Sequence, residues 1–225
     1  MEGNHPLLWL AVIAIGAYHG LNPGMGWPLA LSRALFERRE SAVFSTLGPI
    51  ATGHVLAMAV VLLPFALLVR VFDHARGIGI AAGLVVAGFG LYRLVDRRHP
   101  YFLARIRPTQ VALWSFLVAM AHGAGFMLVP VMLGLCVSAP AQVTRDGLGT
   151  AHSAMMVLMA NDIATALAVA LVHTLAMVVV GGLVAWAVFR YLGLRFLSRS
   201  WFDLDRVWAA SLVATGLIAT GTAAL

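Results

Sequence analysis

Four histidines stand inside long apolar runs of this 225-residue chain: His19, His54, His122 and His173. A polar or ionisable side chain at that depth is costly, and it normally faces a bundle interior or a water-filled path. A neutral imidazole in such a place can ligate a transition metal or pass a proton. A single buried histidine is ordinarily held by one structural hydrogen bond, whereas four at related positions point to a site. Met58 follows His54 by four residues and Met177 follows His173 by four, so each thioether shares a helix face with its imidazole. Met25 and Met127 come shortly after His19 and His122. Together these form a soft-to-borderline donor set, suited to Cu, Ni, Co or Zn rather than Mg or Ca. The competing account of the methionines is simple gap-filling in a membrane core.

Two backbone motifs accompany the histidines. Asn22-Pro23-Gly24 and Gly123-Ala124-Gly125 each follow a mid-run histidine. Pro removes an amide donor and Gly permits unusual backbone angles, which frees carbonyls and amides to face a ligand or water. Irregular backbone at membrane depth is tolerated only where it lines a cavity or is covered by protein. Asn22 is thereby a candidate for a substrate path or proton relay. Asp162, beside Asn161, is another: it is either a proton or cation site at depth or an interfacial cap where a helix begins. Pro64 reads as a packing kink. His5, His74 and His99 fall in loops or at ends, and His152 at the outer interface; none is given a role.

The elements that must position these residues are membrane helices. Hydrophobic residues make up 61% of the chain and charged ones 11%, with a mean hydropathy of +0.92. A soluble domain averages about half apolar and about a quarter charged, so a soluble enzyme is excluded, as is a disordered or fibrous chain. The apolar residues come in blocks rather than alternating, which excludes a transmembrane β-barrel. At roughly 20 residues per crossing there is room for about six spans and no second domain. The blocks run from Leu7 to about Phe36, broken at Asn22-Pro23-Gly24, then about 45–72, 78–96 and 111–136, the last interrupted by Gly123, Gly125 and Pro130. The fifth, about 155–192, is too long for one straight span, so residues 151–161 are expected as a separate interfacial turn; the sixth covers about 206–225. The first block lacks a basic leader and an Ala-x-Ala cleavage site, so it is expected to be a retained helix.

All fifteen basic residues are arginines, and the formal charge is +6. Nucleic acid is not the partner this implies. Arginines clustered in cytoplasmic loops face anionic lipid instead. The loops after spans one, three and five, with their flanks, hold twelve: Arg33, Arg38, Arg39, Arg93, Arg97, Arg98, Arg105, Arg107, Arg190, Arg195, Arg199 and Arg206; the opposite side holds three: Arg70, Arg76 and Arg145. That asymmetry predicts a multi-pass protein of the inner (plasma) membrane with both termini outside. One cysteine, Cys136, forms neither an internal disulfide nor the paired-thiol relay of a membrane electron carrier.

The two halves of the chain resemble each other. Ala17-Tyr18-His19-Gly20 matches Met120-Ala121-His122-Gly123, and Gly53-His54-Val55-Leu56-Ala57-Met58 matches Val172-His173-Thr174-Leu175-Ala176-Met177. Gly83–Gly88 matches Ser211–Gly216 more loosely. The matches pair span one with four, two with five and three with six. A three-span unit is odd-numbered, so its copy enters the membrane from the other side. The fold expected is an all-α polytopic membrane protein: a single domain over 1–225, with six transmembrane helices as an inverted 3+3 repeat (about 7–98 and about 111–225) and helices 1 and 4 broken. In such folds the binding site lies near the midplane, on the helices that break.

Six spans, inverted three-span repeats and a first helix with a His-Gly motif breaking at Pro-Gly resemble the LysE superfamily. The chain is most similar there to the nickel/cobalt permeases of the NicO and HupE/UreJ type. The resemblance implies that His19, with Leu21-Asn22-Pro23-Gly24, stands where the first-helix motif of those permeases would be, with His54 and His122 as counterparts of their later histidines. The chain departs from their His-x4-Asp-His pattern, because Gly24 and Met25 occupy the Asp and second His positions. The function expected is a secondary transporter moving a transition-metal ion or small solute through a midplane histidine site, with the lipid bilayer as its surroundings and a homo-oligomer as a candidate assembly. The alternatives are a membrane-embedded metalloenzyme or a metal-delivery accessory protein using the same histidines. Against the enzyme stands the lack of His-x3-His clusters and buried Glu.

Overall fold

The computed structural model describes residues 5–71, 75–95, 108–137, 149–192 and 204–224, and among these it contains helices and no strand. In chain order they are α1 (His5–Leu21), α2 (Trp27–Glu37), α3 (Ser41–Val71), α4 (Ala75–Val95), α5 (Val111–His122), α6 (Ala124–Val137), α7 (Gly149–Ala187) and α8 (Leu204–Ala224). Short 3-10 turns occupy Pro23–Met25 and Pro108–Gln110, and α7 ends in a π turn, Val188–Leu192. His74, His99 and the arginines at 97, 98, 105, 107, 145, 195 and 199 lie outside the described residues.

Two stretches are long and apolar enough to cross a membrane: Ser41–Leu67 within α3, and Asn161–Leu192 at the end of α7. The pair α5 and α6, bent by 66° at its break, makes a third if counted as one broken span. Shorter apolar stretches cover Pro6–Leu21, Ile80–Val95 and Ala209–Gly221. The faces of α7 are reversed relative to a helix on a water-soluble protein. Leu171, Leu175, Val179 and Leu183, four apart, point outward, while Asp162, His173 and Thr174 point inward. A helix that is apolar on its outer face and polar on its inner one suits a hydrocarbon surround.

Two expectations are corrected. Residues 151–161 are not a separate turn, because α7 runs unbroken from Gly149 to Ala187. No Pro or Gly occurs between Gly149 and Gly181 to interrupt it. Pro130 and Gly125 do not break the fourth block either; both lie inside α6, and the chain turns at Gly123 alone. Gly123 caps α5 in the left-handed region, at φ 69°, where a side chain is strained. The other break matches expectation. Asn22 caps the 3-10 turn by accepting a hydrogen bond from the Gly24 amide, and the Trp27 indole N–H donates to the Leu21 carbonyl freed at the end of α1.

Packing is pairwise. α1 lies along α7, α5 along α3, α3 crosses α7, and α4 pairs with α8. Glycine permits the close approaches: a methyl at Gly16 would overlap the His173 carbonyl, and one at Gly53 the Ala112 carbonyl. Small residues at such crossings let backbones meet where no hydrophobic force drives helices together. Two apolar clusters lie to either side of the crossing of α3 and α7. One joins Ala57, Met58 and Leu62 to Ala166, Val169 and Ala170; the other joins Val43 and Ile50 to Met177, Ala185 and Val188. The two helices are therefore antiparallel, with His54 and His173 between the clusters.

Candidate metal centre

His54 is the central residue of the apolar stretch Ser41–Leu67, and His173 lies one turn from the centre of Asn161–Leu192. His19, near the end of α1, is carried to them by the tight packing of Gly16 and Gly20 on α7. The three imidazoles converge. Their ring centroids are 5.5 Å (His19–His54), 5.1 Å (His19–His173) and 5.6 Å (His54–His173) apart. One nitrogen from each lies within 4.8 Å of the others, and all three residues are essentially inaccessible.

The polar atoms point to something not made of protein. Nε2 of His54 is buried with no hydrogen-bond partner, and so is the Thr174 hydroxyl beside His173. The Val12 backbone approaches His173, but neither nitrogen of that ring has regular hydrogen-bond geometry. Buried polar groups are almost always paired, so unpaired ring nitrogens that face one another call for a ligand, an ion or water. In a tetrahedral site with metal–nitrogen bonds of about 2.05 Å, donor nitrogens sit about 3.3 Å apart.

No family model, curated protein or solved structure matches the chain. Function therefore rests on the chemistry of the site itself.

The other candidate residues are placed as follows. His122 is near enough to His19 to interact electrostatically but stands outside the triad, against the Asn22–Gly24 turn. Its Nδ1 donates to the Val118 carbonyl at 3.0 Å, which turns Nε2 toward that turn. Asn22 is buried there too, and its Nδ2 has no partner. The break after α1 and the end of α5 thus bring an amide donor and an imidazole together near His19. Met58 and Met177 are both fully buried, one turn from their histidines, in the two opposite apolar clusters. Met25 joins Met177 in lining a narrow crevice of about 10 Å³, the room of one water, that also touches Gly20 and Gly181. Met127 packs apart, with Val86 and Leu212. Asp162 is buried within α7, eleven residues before His173 on the same face, so it is not a helix cap.

Sequence reasoning passed over Gly16, Gly53, Trp27 and Thr174. Thr174 could have been found, as a polar neighbour of His173 inside an apolar run. The glycines could not, because their role depends on which helices meet.

Proposed function

We propose that this protein is a secondary transporter of the inner membrane that moves a transition-metal ion through the site formed by His19, His54 and His173. The observation that carries this reading is the convergence of three inaccessible imidazoles, contributed by α1, α3 and α7, at the centre of an apolar stretch. Imidazole is a good ligand for Zn, Cu, Ni and Co, and ionisable groups at such depth mark ion pathways. A narrow crevice past Gly20, next to His19, has the volume of about one water and is lined by Met25 and Met177.

The reading includes six spans in an inverted 3+3 arrangement, with α1–α2 and α5–α6 as the two broken ones, as in the LysE superfamily. Its support is the reciprocal packing: α1 lies on α7 as α5 lies on α3, while α3 meets α7 and α4 meets α8. Swapping the two halves of the chain reproduces each of these pairs. Arg190 at the end of α7 reaches Glu40 in the α2–α3 turn at 3.6 Å, which supports the loops after spans one and five lying on one, cytoplasmic, side.

Flux through proteoliposomes tests the reading. With Cu, Zn, Ni and Co ions supplied in turn, the purified protein is expected to move at least one of them down its gradient. His54→Ala is expected to reduce that flux to the level of empty vesicles. A wild type that neither binds nor moves any of the four would overturn the proposal.

A further inference from the structure

The geometry points to Cu(I) as the ion, with the thioethers of Met25 and Met177 forming a station beside the histidine triad; this rests on the transporter reading above and narrows it. Charge comes first. Among the described residues the triad contains no carboxylate and no thiol, and the one fully buried carboxylate, Asp162, is eleven residues along α7 from His173, about 16 Å of helix rise. An ion held there keeps its whole charge in a low-dielectric surround. The cost of that scales with the square of the charge, so a dication pays about four times what a monocation does. A site built wholly of neutral donors therefore holds a monovalent ion at the smaller electrostatic cost.

Donor softness agrees. Thioether binds late divalent ions weakly but selects Cu(I). The methionines are also placed as steps along a path. Met58 and Met177 follow His54 and His173 by one turn each, and because α3 and α7 are antiparallel the two thioethers lie on opposite sides of the triad. On one side lies a crevice whose wall includes both Met25 and Met177, together with Gly20, the residue after His19. A thioether pair next along the chain path from His19 and His173 gives a soft monocation a ligand to move to as it leaves the imidazoles. A divalent ion would gain nothing from that step.

The test is a set of titrations on the full-length purified protein in detergent, without oxygen and with ascorbate. Cu(I) is supplied as its bicinchoninate complex; Zn(II), Ni(II) and Co(II) are titrated in parallel. The wild type is expected to withdraw Cu(I) from the chelator and to bind it more tightly than any of the three divalent ions. The double variant Met25→Leu/Met177→Leu is expected to weaken Cu(I) about 10–100-fold, the range for disturbed supporting ligands, with weak Zn(II) binding unchanged as evidence that it is folded. Tighter binding of a divalent ion than of Cu(I) overturns the inference while leaving a histidine metal site standing. So does a double variant that holds Cu(I) as well as the wild type. A wild type that binds none of the four ions removes this inference and the transporter reading together.

Discussion

His54→Ala and His173→Ala are each expected to lower metal affinity by more than about 100-fold, beyond the 10–100-fold typical of losing a supporting group behind a ligand. Each supplies one of only three imidazoles, so its removal leaves two nitrogens that hold an ion far less tightly. The change also leaves a space at the crossing of α3 and α7, between two apolar clusters that pack on either side of it. His122→Ala separates the triad from its surroundings. Because His122 stands against the Asn22–Gly24 turn rather than in the triad, its loss is expected to cost less than either change above. Isothermal titration of the purified variants gives the ranking. Equal losses for His122 and His54 would mean that the centre has four histidines rather than three.

Gly16→Ala is expected to damage the centre without touching a ligand. The added methyl would overlap the His173 carbonyl and the Ala176 side chain, so α1 must move away from α7. Overpacking of this kind typically costs about 1–3 kcal/mol. The more telling effect is on the site, because α1 carries His19 and a shift of about 1 Å in a supporting element is enough to spoil preorganised geometry. Metal affinity is expected to fall along with thermal stability in detergent. Gly88→Ala is the control. Nothing lies within 4 Å of that position, so the alanine is expected to be neutral, or stabilising by up to about 1 kcal/mol through helix propensity. Intact metal binding in Gly16→Ala would show that the close packing of α1 on α7 does not hold His19 in place.

The sequence made the helical class plain, because apolar blocks of this length have no other use for so few charges. It also drew attention to the three histidines that cluster, because a histidine at the centre of such a block needs a partner. The break after His19 was legible because Pro23 cannot donate and Gly24 frees the backbone; the Asn22 cap and the left-handed Gly26, at φ 104°, emerge only from the structure. The separation of His122 from the other three was not legible. It follows from the end of α5, where the ring bonds back to the carbonyl one turn earlier. The depth of Asp162 was not legible either, since it depends on where α7 starts, and the helix starts at Gly149, well ahead of the apolar stretch Asn161–Leu192. Periodicity gives the face a residue occupies; it does not give the helix that face will meet.

The central claim is that His19, His54 and His173 hold one metal ion together. X-ray absorption at the metal edge of the loaded, detergent-purified protein addresses it most directly, recorded with Cu(I) and separately with Zn(II). The spectrum expected shows about three nitrogen neighbours at roughly 2.0 Å with the multiple-scattering signature of imidazole rings, and that signature weakens by one ring in His173→Ala. A metal bound without imidazole scattering, or with a spectrum unchanged in His173→Ala, would contradict the account.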